Sequence, residues 1–192
     1  MTTGRLEAFS DGVMAVIITI MVLELKVPNG DSLSALGPMG PAFSAYVLSF
    51  IYVGIYWNNH HHLMRTVEHV TGGIMWANLH LLFWLSLFPM LTAWAGRYPD
   101  APWPAALYGI VLLAAAAAWL LLQSAIIRGG GSLASAIGSD VKGKASPILY
   151  AAGVGLAFVR PWMAEVVFAA VAVMWVVPDR RIEKHVARGG GD

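Results

Sequence analysis

The chain has 192 residues, of which 58% are hydrophobic and only 12% are charged, and its mean hydropathy is +0.65. A soluble domain of this length needs far more charged surface, so the composition indicates a polytopic integral membrane protein in contact with a lipid bilayer. The formal net charge of +1 is too small to favour a nucleic-acid partner, and the absence of cysteine excludes disulfides and thiolate metal sites.

The first predicted helix, roughly 5–26, begins with a compact polar cluster and then becomes almost wholly apolar. The cluster consists of Arg5, Glu7, Ser10 and Asp11. A charge at the mouth of an apolar helix long enough to cross a bilayer is expensive, so it usually has a partner or a function. Because no small-residue cleavage site follows the apolar run, we expect this segment to remain in the mature protein and not to be a signal peptide.

Five further apolar segments follow, and with the first they predict an all-α fold of six transmembrane helices in one domain, 1–192. Their bounds are roughly 42–62, 74–95, 105–127, 147–159 and 162–178. Pro89 is expected to kink the third helix, and the stretch 128–146 is expected to be a polar loop rich in Gly and Ser. The fifth segment spans only about 20 Å at about 1.5 Å per residue, so a re-entrant pair with the sixth is an alternative.

The distribution of Lys and Arg predicts how the six helices are oriented. One side carries Arg5, Arg65, Arg128, Lys142, Lys144, Arg180, Arg181, Lys184 and Arg188. The other side carries only Lys26, Arg97 and Arg160. The positive-inside rule therefore places both termini in the cytoplasm.

The apolar part of the first helix has two faces of different chemistry. At roughly 100° per residue, Asp11 lies about 140° around the helix axis from Val16. One face is an apolar stripe formed by Val16, Thr19, Ile20 and Leu23. If the stripe faces a pore, Asp11 points into its own subunit, towards His, Asn or Trp on the second and third helices. The alternative is ordinary helix packing of the stripe, with Ser10 or Asp11 as a helix cap and Arg5 near lipid headgroups.

Glu24 ends the apolar run of the first helix. Several copies of this residue around one axis would form an acidic ring at a pore mouth, and such a ring concentrates cations. A solvated carboxylate at a helix end, paired with Lys26, is an equally good interpretation of the same residue.

Polar residues also interrupt the second and third helices. The tract His60, His61 and His62 ends the second helix, and the third carries Asn78 and His80. Metal sites on helices favour His at i and i+4, whereas three adjacent His point in three directions, so no metal site is predicted. We expect Asn78 and His80 to make buried interhelical hydrogen bonds and not to act in catalysis. The sequence contains no nucleotide-binding or nucleophile–base motif, so neither an enzyme nor a bound cofactor is predicted.

The motif R-x-x-x-F-S-D, followed by G-V-x-A-x-x-I-T-x-x-V-L-E, resembles the signature of the lysosomal potassium-channel family, transmembrane protein 175 and its bacterial relatives. The matched residues are Arg5, Phe9, Ser10, Asp11, Gly12, Val13, Ala15, Ile18, Thr19, Val22, Leu23 and Glu24. A looser match adds Trp57, the histidine tract and the helix from Asn78 to Pro89. The number and order of the apolar segments also agree along the whole chain.

This resemblance implies a cation channel without the TVGYG filter loop, and the chain lacks that motif. It implies a homotetramer whose first helix lines the pore. Rings of Val16, Thr19 and Leu23, with Ile20 adjacent, would then select the ion. Val16 is smaller than the Ile or Leu expected at the inner ring, which leaves the tightest constriction open and makes Leu23 and Ile20 candidates.

The resemblance also implies that a histidine of the tract reaches a structural network on the first helix. The proposed members are Arg5, Phe9, Ser10, Asp11, Trp57 and Asn78, with either His60 or His61. We expect this network to hold the pore helix in place. A histidine near a carboxylate titrates near neutral pH, so the network would also carry pH sensitivity.

The resulting hypothesis is a potassium-preferring cation channel of the prokaryotic plasma membrane, with monovalent cations as its cargo. Potassium gives up its hydration more easily than sodium, so a narrow apolar ring favours potassium. The alternative from another class is a proton- or cation-coupled secondary transporter that uses Asp11 and the histidines as a relay. A third option is a membrane enzyme or metal-binding protein built on the histidine tract.

Overall fold

The computed structural model of the protein describes residues 2–130 and 141–176. Within these ranges the chain is all-helical. The α-helices are α1 (Thr3–Leu23), α2 (Gly40–Met64), α3 (Gly72–Ser86), α4 (Phe88–Arg97), α5 (Pro102–Arg128), α6 (Val141–Ala157) and α7 (Pro161–Val176). A 3₁₀ helix, Leu33–Met39, directly precedes α2.

Four helical segments are long and apolar enough to cross a membrane, judged by length and composition. These are Thr3–Leu23, Leu33–Met64, Gly72–Arg97 and Pro102–Arg128. Because α3 and α4 form one broken segment, the described residues contain six helical segments, the number expected from hydropathy. The remaining two, α6 and α7, have 17 and 16 residues, at or below the lower end of the usual length of a crossing.

The third predicted helix is interrupted at Pro89, which has no backbone N–H and so cannot continue the hydrogen-bond ladder of a helix. α3 ends at Ser86, α4 begins at Phe88, and Pro89 lies in the first turn of α4. The backbone N–H of Leu87 bonds to the carbonyl of Trp84 at 3.3 Å, which is a tighter, 3₁₀-type step. The expected kink is therefore present as a short break between two helices.

The hydropathy pattern predicts a loop up to Ser146, but the structure is helical from Val141, so this boundary is wrong. Lys142 and Lys144 lie in the first turn of α6. Their charge lowers the hydropathy of that turn, although lysine is a good helix former. The other described boundaries differ from the predicted ones by less than a helical turn. The predicted end of the last helix, at 178, lies outside the described residues.

Glycines permit the closest approaches between helices. A Cβ atom at Gly96 in α4 would lie 2.6 Å from the Cα atom of Ala42 in α2, so these two helices meet backbone to backbone. A Cβ atom at Gly109 or Gly153 would lie 2.5 or 2.4 Å from the ring of Phe168. The buried ring of Phe168, on α7, is therefore held tightly between α5 and α6.

α1 packs against α2, α3 and α4 through one of its faces. The buried residues of this face are Leu6, Ser10, Met14, Ile17 and Met21. They recur every three or four positions, which is the spacing of a helix with one buried stripe. The opposite face of α1 is exposed in the single chain, and the candidate site lies on these two faces.

Candidate functional site

The four predicted pore residues of α1 lie together on its exposed face. Val16, Ile20 and Leu23 are 55%, 42% and 81% exposed, and Thr19 is exposed as well. The hydroxyl of Thr19 donates to the backbone carbonyl of Val16 at 2.9 Å. Its oxygen therefore keeps lone pairs available to accept from or coordinate another group. The face combines three aliphatic side chains with one hydroxyl.

On the buried face of α1, hydrogen bonds connect three helices. Ser10 of α1, His60 of α2 and Asn78 of α3 are all fully buried. Asn78 Nδ2 donates to Ser10 Oγ at 2.9 Å, and Asn78 Oδ1 accepts from His60 Nε2 at 2.8 Å. Ser10 Oγ donates in turn to the carbonyl of Leu6 at 2.9 Å. Both polar ends of the Asn78 side chain are used, so it fixes α1 and α2 relative to α3. We call Ser10, His60 and Asn78 the anchor.

The anchor contains His60 and not His61, a choice that the sequence left open. His61 instead pairs with Glu7 of α1, with Nδ1 and Oε1 2.5 Å apart. The network predicted from the sequence does not include Glu7. The sequence does contain a signal for Glu7, because it lies four residues before Asp11 and therefore on the same side of the helix. The His61–Glu7 pair adds a second link between α1 and α2.

The three adjacent histidines have three different surroundings. His60 is buried against Asn78, and His61 reaches Glu7. The ring of His62 makes an edge-to-face contact with that of His61, with the centroids 5.6 Å apart. In the described part of the chain, no group of three or more His, Cys, Asp or Glu residues is placed to hold a metal ion.

Arg5, Phe9 and Trp57, which the family resemblance adds to the network, are not brought to the anchor. All three side chains are exposed in the single chain, Phe9 and Trp57 by about half. Among the described residues none of them has a side-chain hydrogen bond or an ion pair. Arg5 and Phe9 lie about one helical turn apart, and Val16 lies about two turns after Phe9, so Arg5 and Phe9 belong to the exposed face of α1.

Asp11 lies partly buried beside the anchor. Asp11 Oδ1 and His60 Nδ1 are both buried, and neither has a hydrogen-bond partner in the described ranges. The two side chains interact electrostatically. Asn78 donates to Ser10 and not to Asp11. Asp11 faces His60 as expected, but in the described ranges no His, Asn or Trp of the second and third helices donates a hydrogen bond to it. The carboxylate of Asp11, beside the anchor, and the imidazole of His60, within it, thus each have one buried atom without a hydrogen-bond partner.

His80 lies outside the anchor, and the expectation of a buried interhelical hydrogen bond is wrong for this residue. Its side chain is exposed, and its Nε2 accepts from Nε1 of Trp84, one turn later on the same helix, at 2.9 Å. The same expectation is confirmed for Asn78, which bonds to both α1 and α2. The two residues are two positions apart, about 200° around the axis, so they face different neighbours.

Glu24 caps the other end of α1 and lines a cavity of about 500 Å³ together with Lys26 and Arg97. Both Glu24 and Lys26 are exposed, and no ion pair joins them in the part of the chain that the structure describes. A carboxylate at a helix C-terminus is unfavourable with respect to the helix dipole. Helix stability therefore does not explain Glu24, and its negative charge is accessible at this end of α1.

These features define a multi-pass, all-helical membrane protein whose first helix is anchored by buried hydrogen bonds and exposes an apolar stripe on its other side. The family model described as "Endosomal/lysosomal potassium channel TMEM175" matches residues 5–89. This range runs from α1 to the start of α4 and contains all three anchor residues.

Individual relatives agree with this match over longer ranges. A protein named a potassium channel from Chryseobacterium sp. (strain P1-3) is 56% identical over 97% of this chain and 98% of its own length. The crystal structure of a lysosomal potassium-selective channel TMEM175 homolog from Chamaesiphon minutus is similar with a TM-score of 0.80 and 29% identity, covering 91% of this chain and 96% of that one.

A vertebrate relative matches over a shorter range. The Mus musculus protein named endosomal/lysosomal proton channel TMEM175 is 36% identical over 45% of this chain and 20% of that protein. Together with the full-length bacterial match, these similarities confirm the resemblance carried by the first helix. The chain belongs to the TMEM175 family, which is a family of ion channels and not a class of enzymes.

Proposed function

We propose that this protein is a potassium-preferring cation channel in which four copies of the chain surround a pore lined by α1. The observation that carries the proposal is the stripe of Val16, Thr19, Ile20 and Leu23, exposed on the face of α1 opposite the anchor. The names of two relatives support the choice of ion, since one is called a potassium channel and the other potassium-selective.

Ion selection in this proposal is done by the apolar side chains. A ring of aliphatic side chains narrows and dries a pore, so it closes by dewetting and penalises the ion that holds its water more tightly. Potassium loses hydration water more easily than sodium and is favoured. Thr19 adds a ring of hydroxyl oxygens that replace part of the lost water. Val16 is the smallest aliphatic member of the stripe, so Ile20 or Leu23 forms the narrowest ring.

Four copies are proposed because one chain has one stripe. The R-x-x-x-F-S-D pattern occurs once in the sequence, so a ring of equivalent side chains requires several chains around a closed symmetry axis. The number four comes from the family resemblance. Small residues on the same exposed face allow neighbouring α1 helices to approach closely. These residues are Gly4, Ala8, Gly12 and Ala15.

The membrane orientation in this proposal follows the positive-inside rule, with both termini in the cytoplasm of a prokaryotic cell and the channel in its plasma membrane. Glu24 then lies at the outer mouth, where four carboxylates would concentrate cations. The anchor keeps α1 at a fixed angle to α2 and α3, so that the rings stay in register. Potassium is the permeant ion, and the proposal requires no cofactor.

The alternative is a proton- or cation-coupled transporter with Asp11 at its centre. The observation that favours it is the pair of buried atoms without partners, Asp11 Oδ1 and His60 Nδ1. An unpartnered carboxylate inside a membrane protein is a recurrent element of proton relays. The mouse relative is named a proton channel, and this name supports protons as a candidate cargo.

The first experiment is a bi-ionic reversal potential of the purified protein in a planar bilayer, with potassium on one side and sodium on the other. We expect a reversal potential that favours potassium, together with unitary current steps. The same measurement on Asp11→Asn separates the two functions. Unitary currents that survive this substitution support the channel. Slow, saturable flux without unitary steps, abolished by Asp11→Asn, would replace the channel by the transporter.

A further inference from the structure

A second cavity, of about 300 Å³, lies in the bundle without any residue of α1 in its wall. It is formed by the beginning of α2, the end of α4 and the beginnings of α5 and α7. Its volume is at the lower end of the range found for ligand sites. Its wall is mostly apolar and includes Leu48, Val166 and Phe168.

Glu165 on α7 is the charged residue among the described residues that line this cavity. It has neither a hydrogen bond nor an ion pair in the described ranges. Asp100, in the loop between α4 and α5, interacts with it electrostatically and adds to the negative potential. A charge in a membrane-spanning helix is expensive and is normally paired. The cavity is therefore suited to a positively charged group.

Trp162 lines the same cavity, three positions before Glu165 and thus on the same side of α7. Trp162 is 61% exposed. Exposed tryptophan at the end of a membrane helix sits at the level of the lipid headgroups. An ammonium group is held by a carboxylate and also by the face of an indole ring. These two side chains together form a suitable site for an ammonium at headgroup depth.

The outer surface of α7 continues from this cavity as an apolar track. Val166, Ala169, Ala170 and Val173 are all exposed. Their spacing of three or four residues places them on one side of the helix. A small soluble amine has no apolar part that could cover this track, whereas the acyl chains of a lipid can lie along it.

We propose that this cavity binds the ammonium headgroup of a phosphatidylethanolamine molecule from the surrounding bilayer, with Glu165 and Trp162 holding the ammonium. The acyl chains then lie along the apolar track of α7. The site does not depend on the pore, because α1 contributes nothing to its wall.

Occupancy of this site should stabilise the whole bundle, because its wall is tied to the core by hydroxyl groups. Tyr108 lines the cavity, and its hydroxyl lies 2.8 Å from Ser49 Oγ. Ser49 Oγ lies 2.6 Å from Thr92 Oγ1, and Thr92 in turn contacts the sulfur of Met21 on α1 at 3.9 Å. This series of side-chain contacts connects α5, α2, α4 and α1. A lipid that packs against Tyr108 should therefore raise the unfolding temperature of these four helices together.

The test is thermal unfolding of the purified full-length protein in detergent, with added dioleoyl phosphatidylethanolamine or dioleoyl phosphatidylglycerol. These two lipids share their acyl chains and differ in the headgroup. We expect the ethanolamine lipid to raise the Tm by about 3 °C and the glycerol lipid to leave it unchanged. Glu165→Gln should abolish the shift. Glu68→Gln, which removes an exposed carboxylate between α2 and α3, should retain it.

Ala169→Phe is the second variant, because it fills the cavity without changing its charge. It should also abolish the lipid-dependent shift, and it serves in place of Glu165→Gln if that variant does not fold. An equal shift in wild type and in either cavity variant would overturn the proposal, as would equal shifts with the two lipids. A shift of the same size with ethanolamine alone would identify a soluble amine as the occupant and would overturn the proposal that a lipid binds here.

Discussion

At the scale of single residues, Asn78 links α1 and α2 to α3. Its amide uses both ends, donating to Ser10 and accepting from His60, and all three side chains are fully buried. An interhelical hydrogen bond in a membrane protein contributes only about 0.6 kcal/mol on average. Leaving a buried polar group without a partner costs more, about 1–3 kcal/mol. Loss of Asn78 is therefore worse than the loss of two bonds, because it leaves the buried His60 without any side-chain hydrogen bond, whereas Ser10 keeps its bond to the carbonyl of Leu6.

Asn78→Ala should lower the free energy of unfolding by about 2 kcal/mol. The measurement is reversible unfolding in mixed micelles, followed by circular dichroism. Asn58→Ala is the matched control, because Asn58 is an exposed asparagine on α2, and we expect it to change stability by no more than about 0.5 kcal/mol. Equal effects of the two substitutions would mean that the anchor does not hold α1.

The sequence allowed part of this site to be predicted, for a physical reason. Ser10 and Asn78 stand out because a polar residue in an apolar helix needs a partner. The choice between His60 and His61 was not predictable, because adjacent positions differ by about 100° and the rotation of α2 is set by packing along its whole length. Glu7 is part of the polar cluster at the start of the first helix, but the family motif does not include it, so the sequence does not show that His61 reaches it.

At the scale of helices, α6 approaches its neighbours closely enough to make one of its glycines indispensable. A Cβ atom at Gly153 would lie 2.4 Å from the buried ring of Phe168, whereas one at Gly155, on the same helix, would meet nothing within 4 Å. Gly153→Ala should therefore destabilise the protein by about 1–3 kcal/mol through overpacking. Gly155→Ala should be neutral or stabilising by up to about 1 kcal/mol, because alanine favours the helix.

Thermal unfolding of the two variants, side by side, checks this prediction. Both substitutions add one methyl group to α6 and have the same intrinsic effect on helix propensity. The sign of the difference therefore reports the space around each glycine and nothing else. A Gly153→Ala variant as stable as Gly155→Ala would show that Phe168 has room to move.

The exposed stripe of α1 leads to a prediction about selectivity. Leu23→Ala should widen the ring that Leu23 forms and raise sodium permeability relative to potassium by up to about fivefold, equivalent to about 1 kcal/mol. Bi-ionic reversal potentials provide the measurement. Val173→Ala is the matched control, since Val173 is an exposed aliphatic residue of α7 outside the proposed pore. If Val16→Ala, Ile20→Ala and Leu23→Ala all leave the ratio unchanged, the stripe does not select ions.

Helix positions were predicted well where apolar length decides them and poorly where charge and helix formation disagree. The break between α3 and α4 follows from the missing N–H of Pro89, which the sequence displays directly. The start of α6 cannot be predicted from hydropathy in the same way, because Lys142 and Lys144 make its first turn polar although that turn is helical. Hydropathy measures the membrane boundary, and a helix can extend past it into water.

At the scale of the whole molecule, a single chain supplies one wall of the proposed pore and not the pore itself. α1 packs through one face on α2, α3 and α4 and leaves the other face uncovered. The number of copies that cover it depends on the angle between neighbouring subunits. No pattern within 192 residues encodes that angle directly, so four copies rest on the family resemblance, and the arrangement needs a direct test.

Cysteine cross-linking tests the arrangement on a clean background, because the native chain contains no cysteine. Val16→Cys, Ile20→Cys and Leu23→Cys each place one thiol on the proposed pore axis, while Val173→Cys places one on the exposed side of α7. Disulfides form only when the Cβ atoms come within about 4.5 Å. In native membranes treated with an oxidant, we expect the α1 variants to form dimers that a reductant reverses, with the fastest reaction at the narrowest ring. Val173→Cys should remain monomeric. If instead Val173→Cys cross-links as fast as all three α1 variants, or if these stay monomeric, α1 does not surround a shared axis.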